Sequence, residues 1–254
     1  MLVFPQITES GVAQYPLEKS IVRRNLGVRT PGGAWHTLYD PGADRTQWTL
    51  FYQGLSEAEA TVLQDFFDKT EGRLHTFVFV DPTANLLLWS GDLKAAVWNS
   101  VMSTVSGGND PNGGNEGFLI TNGGPIRQGI AQWVSAPANY RYVLSAWMRS
   151  AAGAKVYLTI AEQTSAFAMD GNWRRHQFSA LVSAESPIRF AIETEPGGVV
   201  ELFGPQVEAQ LAASAYQRTG GTSGVHMNAR FNIDSLRWTV DGPNQYRTSI
   251  TIVS

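Results

Sequence analysis

Cysteine is absent from the 254-residue chain, which excludes a disulfide framework and any thiolate metal site. Charge is scarce too: Asp, Glu, Lys and Arg make up 16% of the residues, against roughly 25% in an average soluble chain. Other subunits can cover a surface this poor in charge, although loops rich in Ser, Asn and Gly account for part of the deficit. The formal net charge is −3, so there is no basic field to attract nucleic acid or an acidic membrane. No apolar run approaches the ~20 residues of a bilayer-spanning helix. The opening MLVFPQITES has no basic stretch and is interrupted by Pro5 and Gln6, so it does not read as a secretion signal. These absences suit a chain that folds in a cytoplasm.

Catalytic spacings are missing as well. There is no G-x-S-x-G, no H-E-x-x-H and no Gly-rich phosphate loop with Lys, and His36, His75, His176 and His226 are scattered. Glu193, Glu195 and Glu201 flank one expected hairpin and offer a glycosidase's carboxylate pair, but solvent-facing strand charges beside a turn are the plainer reading. Asn109, Asp110, Asn112 and Glu116 offer oxygen ligands for Ca²⁺. Their spacing departs from an EF-hand loop, and a plain exposed loop is the simpler reading. The expectation is a protein that is not an enzyme and has no cofactor and no metal.

What is present is turn chemistry. With 25 Gly and 12 Pro, and turn signals at short spacing, the chain reads as mainly β. Trp48 to Pro82 is its most legible stretch. An aromatic strand at Trp48 to Tyr52 leads to Ser56 and Glu59, spaced as a capping box. Ala58, Val62, Leu63, Phe66 and Phe67 then recur at helical spacing, with Gly72 expected as the left-handed stop. His75 to Val80 alternates as a strand ending at Asp81-Pro82.

The order of these residues (Trp48, Leu50, Tyr52, Leu55, Ser56, Glu59, Phe66, Phe67, Gly72, Arg73, Phe77, Phe79, Asp81, Pro82) resembles the N-terminal domain of phage tail-tip proteins, most of all the distal tail protein of long-tailed phages. Each piece is common and the order is unusual. The resemblance implies a homohexameric ring at the tail tip, assembled in the host cytoplasm and carried in the virion. Its implied partners are itself, the tail tube, and the tail hub or fibre.

Before this stretch, Leu2 to Thr8 reads as a short strand or arm and Gly11 to Pro16 as loop. Leu17 to Leu26 and Trp35 to Tyr39 form an expected hairpin, and Asp40-Pro41-Gly42 turns the chain again. After Gly91 helix signals vanish. Ser106 to Gly117 reads as an exposed loop. Hairpins are expected around Asn122-Gly123-Gly124, Asp170-Gly171 and Pro196-Gly197-Gly198, with further strands at Tyr142 to Met148 and Val156 to Ile160. About eight strands at this spacing indicate a jelly roll. YRYVLSAWMRS, GNWRRHQF, IRFAIETEPGGVVELFGPQVEAQ and SAYQRT look like the carbohydrate-binding jelly rolls of phage tail proteins, which implies contact with a host-surface glycan.

Asn228 to Val240 and Gln245 to Val253 are surplus to that jelly roll and are expected to return to the first sheet. The fold class is therefore mainly β: a β-sandwich with one α-helix built from 1–90 and 225–254, with a jelly-roll β-sandwich inserted at 91–224. Thr219 to Gly224 serves as a flexible crossing. Within the insert, alternation leaves Trp147, Arg149, Tyr157 and Arg189 opposite the core positions, and these four are the candidate carbohydrate contacts on one sheet face. That face is equally open to burial by a neighbouring subunit or a second core layer. Trp98 and Trp173 read as core. The rival readings are a virion-borne glycan-degrading enzyme and a free-standing lectin-like module.

Overall fold

The computed structural model describes residues 1–7, 12–183 and 186–254; Thr8 and Gly11, in the expected arm and loop, lie outside them. It divides into two compact units, one containing Ala13–Phe79 and His226–Ser254, the other Val80–Val225. The described residues hold one helix and are otherwise mainly antiparallel strands.

In the first unit β1 (Leu17–Arg29) and β2 (Trp35–Leu55) form a long antiparallel hairpin. The turn expected at Asp40-Pro41-Gly42 does not occur. β2 runs through it, and the surplus residues are taken up in a bulge where the register slips between Val22 and Arg24. An Arg24–Asp40 ion pair sits at the slip.

The helix α1 (Glu57–Thr70) begins as its residues dictate. Ser56 Oγ accepts from Glu59 N, and the Glu59 carboxylate accepts from Ser56 N at 2.9 Å, so two first-turn donors are satisfied reciprocally. Asn244 Oδ1 takes a third donor, Glu57 N, at 2.7 Å. Leu63, Phe66 and Phe67 are buried, whereas Val62, expected in the core, is 44% exposed. The buried stripe centres on Leu63 and Phe67, and Val62 falls just past its edge. The first left-handed residue is Glu71 (φ 50°), one position before the expected Gly72 (φ 61°). β3 (Phe77–Val80) follows, fully buried.

The second unit begins earlier than the composition shift near residue 91 suggested. Asn85 donates to the carbonyls of Pro205 and Gln217, and Leu88 exchanges hydrogen bonds with the Gln132 side chain, so 81–98 belongs to this unit's core with Leu86, Leu87, Leu93 and Trp98. Its strands are β4 (Ser103–Gly108), β5 (Gly117–Asn122), β6 (Gln128–Val134), β7 (Tyr140–Arg149), β8 (Lys155–Ile160), β9 (Gln163–Ala168), β10 (Arg174–Val182), β11 (Ile188–Thr194) and β12 (Val199–Glu208). They form a five-stranded sheet, β10-β7-β12-β5-β4, and a four-stranded one, β6-β11-β8-β9.

All three expected hairpins are corrected by this topology. β5 and β6, β9 and β10, and β11 and β12 each lie in different sheets, so these turns cross between sheets. At the first crossing the buried Asn122 side chain donates to Ile126 O and Thr194 O and accepts from Gly124 N, which holds the corner. True hairpins join β4 to β5 and β8 to β9.

The chain then returns to the first unit. β13 (Val225–Phe231), β14 (Thr239–Gly242) and β15 (Gln245–Val253) complete the order β1-β2-β15-β13-β3, with β14 on β15. The strand expected over Asn228 to Val240 breaks after Phe231. Residues 233–238 leave the sheet, and Trp238 Nε1 donates to Gln64 on α1 at 2.9 Å. Phe231 packs against Phe4, Phe66, Phe67 and Phe77 at centroid distances of 6.3, 5.9, 5.1 and 5.0 Å. No helix among the described residues is long and apolar enough to cross a membrane.

Candidate functional site

The outer face of the four-stranded sheet carries a groove of about 380 Å³, within the range of small-ligand sites. Strand alternation sends Ile130, Val134, Val156, Leu158, Ile160, Phe190 and Ile192 inward, all buried. Three rows of side chains remain outside. Trp133 stands opposite Arg189, the middle row is Ala131, Ala191 and Thr159, and the third is Gly129, Glu193 and Tyr157. The groove follows β6, lined by Val101, Arg127, Gln128, Ala131 and Trp133 with Arg189 and Glu193 from β11, while Ala191 and Thr159 are buried beside it. Gly129 is required where β6 meets β11, since a Cβ there would lie 2.1 Å from Ile192 O.

A buried carboxylate organises this face. Glu193, 7% exposed, accepts from Arg189 at 2.6 Å and from Thr159 Oγ1 at 3.1 Å, and Arg127 lies 3.5 Å away. These partners compensate for removing the charge from water. The Arg127 guanidinium stacks over the Tyr157 ring at 4.6 Å, Lys155 Nζ is 5.3 Å from the same ring, and Tyr157 OH bonds to Glu195. Trp133 remains 58% exposed at the rim. A large exposed indole beside fixed, partly exposed hydrogen-bonding groups can cover an apolar ring face and hold polar substituents around it.

The four expected contact residues do not share a face. Tyr157 and Arg189 line this sheet, while Trp147 and Arg149 lie on β7 of the other. The outer side of β7 is covered: Val143 and Ser145 are fully buried, and Arg175 beside them bonds to Ser145 Oγ and Ser214 O. Arg149 is bound bidentately by Glu201 at 3.0 and 2.8 Å and stacks on Trp173 at 4.9 Å. Single-strand alternation cannot tell which of two sheets a strand joins. Trp133 and Arg127 were missed, and Glu193 was singled out only for a carboxylate pair. Trp133 was legible, because it is out of phase with Ile130 and Val134; the burial of Glu193 was not.

The other candidates are also occupied by structural partners. Glu201 lies on the opposite sheet from Glu193, and Glu193 and Glu195 are both bonded, so no two of the three flank a groove as an open carboxylate pair. Asp110 accepts from the backbone of Asn112, Gly114 and Glu116, and Glu116 pairs with Arg218 at 3.2 Å. Among the described residues no His/Asp/Glu group could hold a metal ion. His176 packs against Phe167, and burial, then Arg174, lowers its pKa.

No family model matches this chain, and no curated protein does. Several solved structures align with about half of it. A family 22 carbohydrate-binding module of the Clostridium thermocellum xylanase Xyn10B is 9% identical over 54% of this chain and 99% of its own, with a TM-score of 0.41. The CBM22-1–GH10 modules of the same enzyme are 11% identical, with a TM-score of 0.39 over 55% of this chain and 30% of theirs. The enzymatically active domain of bacteriophage CBA120 tailspike protein 4 is 12% identical, with a TM-score of 0.41 over 50% of this chain and 22% of its own. The chain thus spans under a third of the latter two. With TM-scores this low, the functional reading rests on the groove itself.

Proposed function

We propose that the protein is a non-catalytic adhesive subunit whose second unit binds a glycan in the groove on the four-stranded sheet. The observation that carries this is Trp133, a large aromatic left 58% exposed in a groove whose lining includes Arg127, Arg189 and the buried Glu193 carboxylate. Retention on immobilised polysaccharides, followed by calorimetry, tests it. Trp133→Ala is expected to weaken binding about tenfold or more with the circular dichroism spectrum unchanged. Full retention by that variant would overturn the reading.

A second role, self-association, is favoured by the β1–β2 hairpin. Leu26, Leu38 and Val28 are exposed on one of its faces and Trp35 and Tyr39 on the other. A two-stranded ribbon has no core of its own, so apolar residues on both faces are stabilised by docking against another surface. Together with the tail-tip resemblance, this supports a homohexameric ring that joins tail tube to hub in a virion, with repeated glycan contacts adding as avidity. Mass photometry is expected to show a sixfold particle that Leu26→Glu/Leu38→Glu dissociates. A monomer at micromolar concentration would remove the ring.

A further inference from the structure

We infer that the groove selects glycans bearing carboxylates, a conclusion that rests on the glycan-binding reading above. The inference comes from the charge and the donor balance of the face. Two cations, Arg127 and Arg189, flank the Glu193 carboxylate in the groove, and beside it on the same face Lys155 and Glu195 both meet Tyr157. Glu193 is the deepest of them, 8% exposed at its side chain, whereas Arg127 and Arg189 are 41% and 31% exposed. A ligand arriving from solvent meets guanidinium groups before it meets the buried carboxylate.

Hydrogen-bonding capacity points the same way. A neutral sugar presents hydroxyls that need acceptors as well as donors. Both Glu193 oxygens already have partners: Oε1 has Arg189, and Oε2 has Thr159 and lies near Arg127. Glu195 is engaged by Tyr157 OH. Arg189 commits one N–H to Glu193 and retains others on a planar fork suited to a carboxylate. Among the charged groups of the groove, the guanidiniums therefore retain free donors while both Glu193 oxygens are engaged. The rim indole distinguishes this from a bare anion site, because it supplies a surface for a ring rather than for a small ion. All this sits on a chain whose formal net charge is −3, so the positive character is local.

The test compares retention of the whole protein on polygalacturonate, alginate and hyaluronate with that on their carboxyl-esterified forms, on neutral galactan and xylan, and on polyaspartate. At least one carboxylated polymer should bind about tenfold more tightly than its ester, with affinity falling as salt rises. Arg127→Gln, chosen because its side chain is the more exposed of the two guanidiniums, should reduce that preference about tenfold while Trp133→Ala weakens binding to all sugars. Lys155→Ala supplies a second, structurally mild reduction. Equal binding to acid and ester, or to neutral polymers alone, would overturn the charge selectivity and leave glycan binding standing. Equal binding of polyaspartate would make the face a general polyanion site and overturn the inference. Retention on no polysaccharide would remove the glycan reading itself.

Discussion

Replacing Asn122 by alanine removes the side chain that ties the first crossing between the two sheets. Asn122 is fully buried at the end of β5; its Nδ2 donates to Ile126 O and Thr194 O, both at 2.8 Å, and its Oδ1 accepts from Gly124 N at 2.9 Å. The alanine variant leaves two buried backbone groups, Thr194 O and Gly124 N, short of partners at about 1–3 kcal/mol each, and the partly buried Ile126 O with them. Relaxation of the 123–127 turn recovers part of this, so the expected loss is about 3–5 kcal/mol, or roughly 10–15 °C for a unit of this size. Hydrogen exchange of β5 and β11 amides across a urea titration localises the change to the second unit. Asn122→Asp is the discriminating companion. It keeps the acceptor but turns a carboxylate toward two carbonyl oxygens, which raises that group's folded pKa. Its deficit should be large at neutral pH and shrink as the pH falls and a donor is restored. A loss below about 1 kcal/mol for the alanine variant, or an aspartate variant as stable as wild type at pH 7, would refute the argument.

Phe231→Ala should cost the first unit about 3–5 kcal/mol, because the ring touches four other phenylalanines; an unchanged urea midpoint for that unit would contradict it. Ser56→Ala should cost about 1 kcal/mol through loss of the N-cap, measurable as faster amide exchange in the first turn of α1. Burial opposes ionisation of Asp110, but backbone donors from Asn112, Glu116 and Gly114 outweigh it and hold its pKa below the usual carboxylate range. A folded pKa depressed in this way stabilises above the unfolded value, about 4, and that contribution is lost as the pH falls through the folded one. The stability gap between wild type and Asp110→Asn should therefore be widest near neutrality and close in acid; a gap constant with pH would count against it.

The parts of this protein legible in its sequence are those governed by near neighbours. Ser56 and Glu59 are three residues apart, and their reciprocal hydrogen bonds need nothing else. The hairpin around 30–34 and the alternation of β8 and β11 are of the same kind, and alternation alone placed Tyr157 and Arg189 on outward positions. Longer-range features were not legible. An Asn-Gly, Asp-Gly or Pro-Gly turn has the same local chemistry whether the next strand pairs with its predecessor or crosses to the opposite sheet, so three crossings read as hairpins.

Trp147 and Arg149 illustrate the consequence. Their outward phase on β7 is right, but that side is closed by residues distant in sequence, and Glu201 neutralises Arg149 from another strand. Glu193, conversely, has an outward phase and is buried, because arginines from 127 and 189 close over it. Composition, period and caps determined the mainly β class, the helix α1 and most strand positions, since those follow from contacts within a few residues. Sheet membership, and with it which aromatic and charged side chains meet in one groove, was decided only when the core packed, because strand pairing joins residues that no local pattern relates.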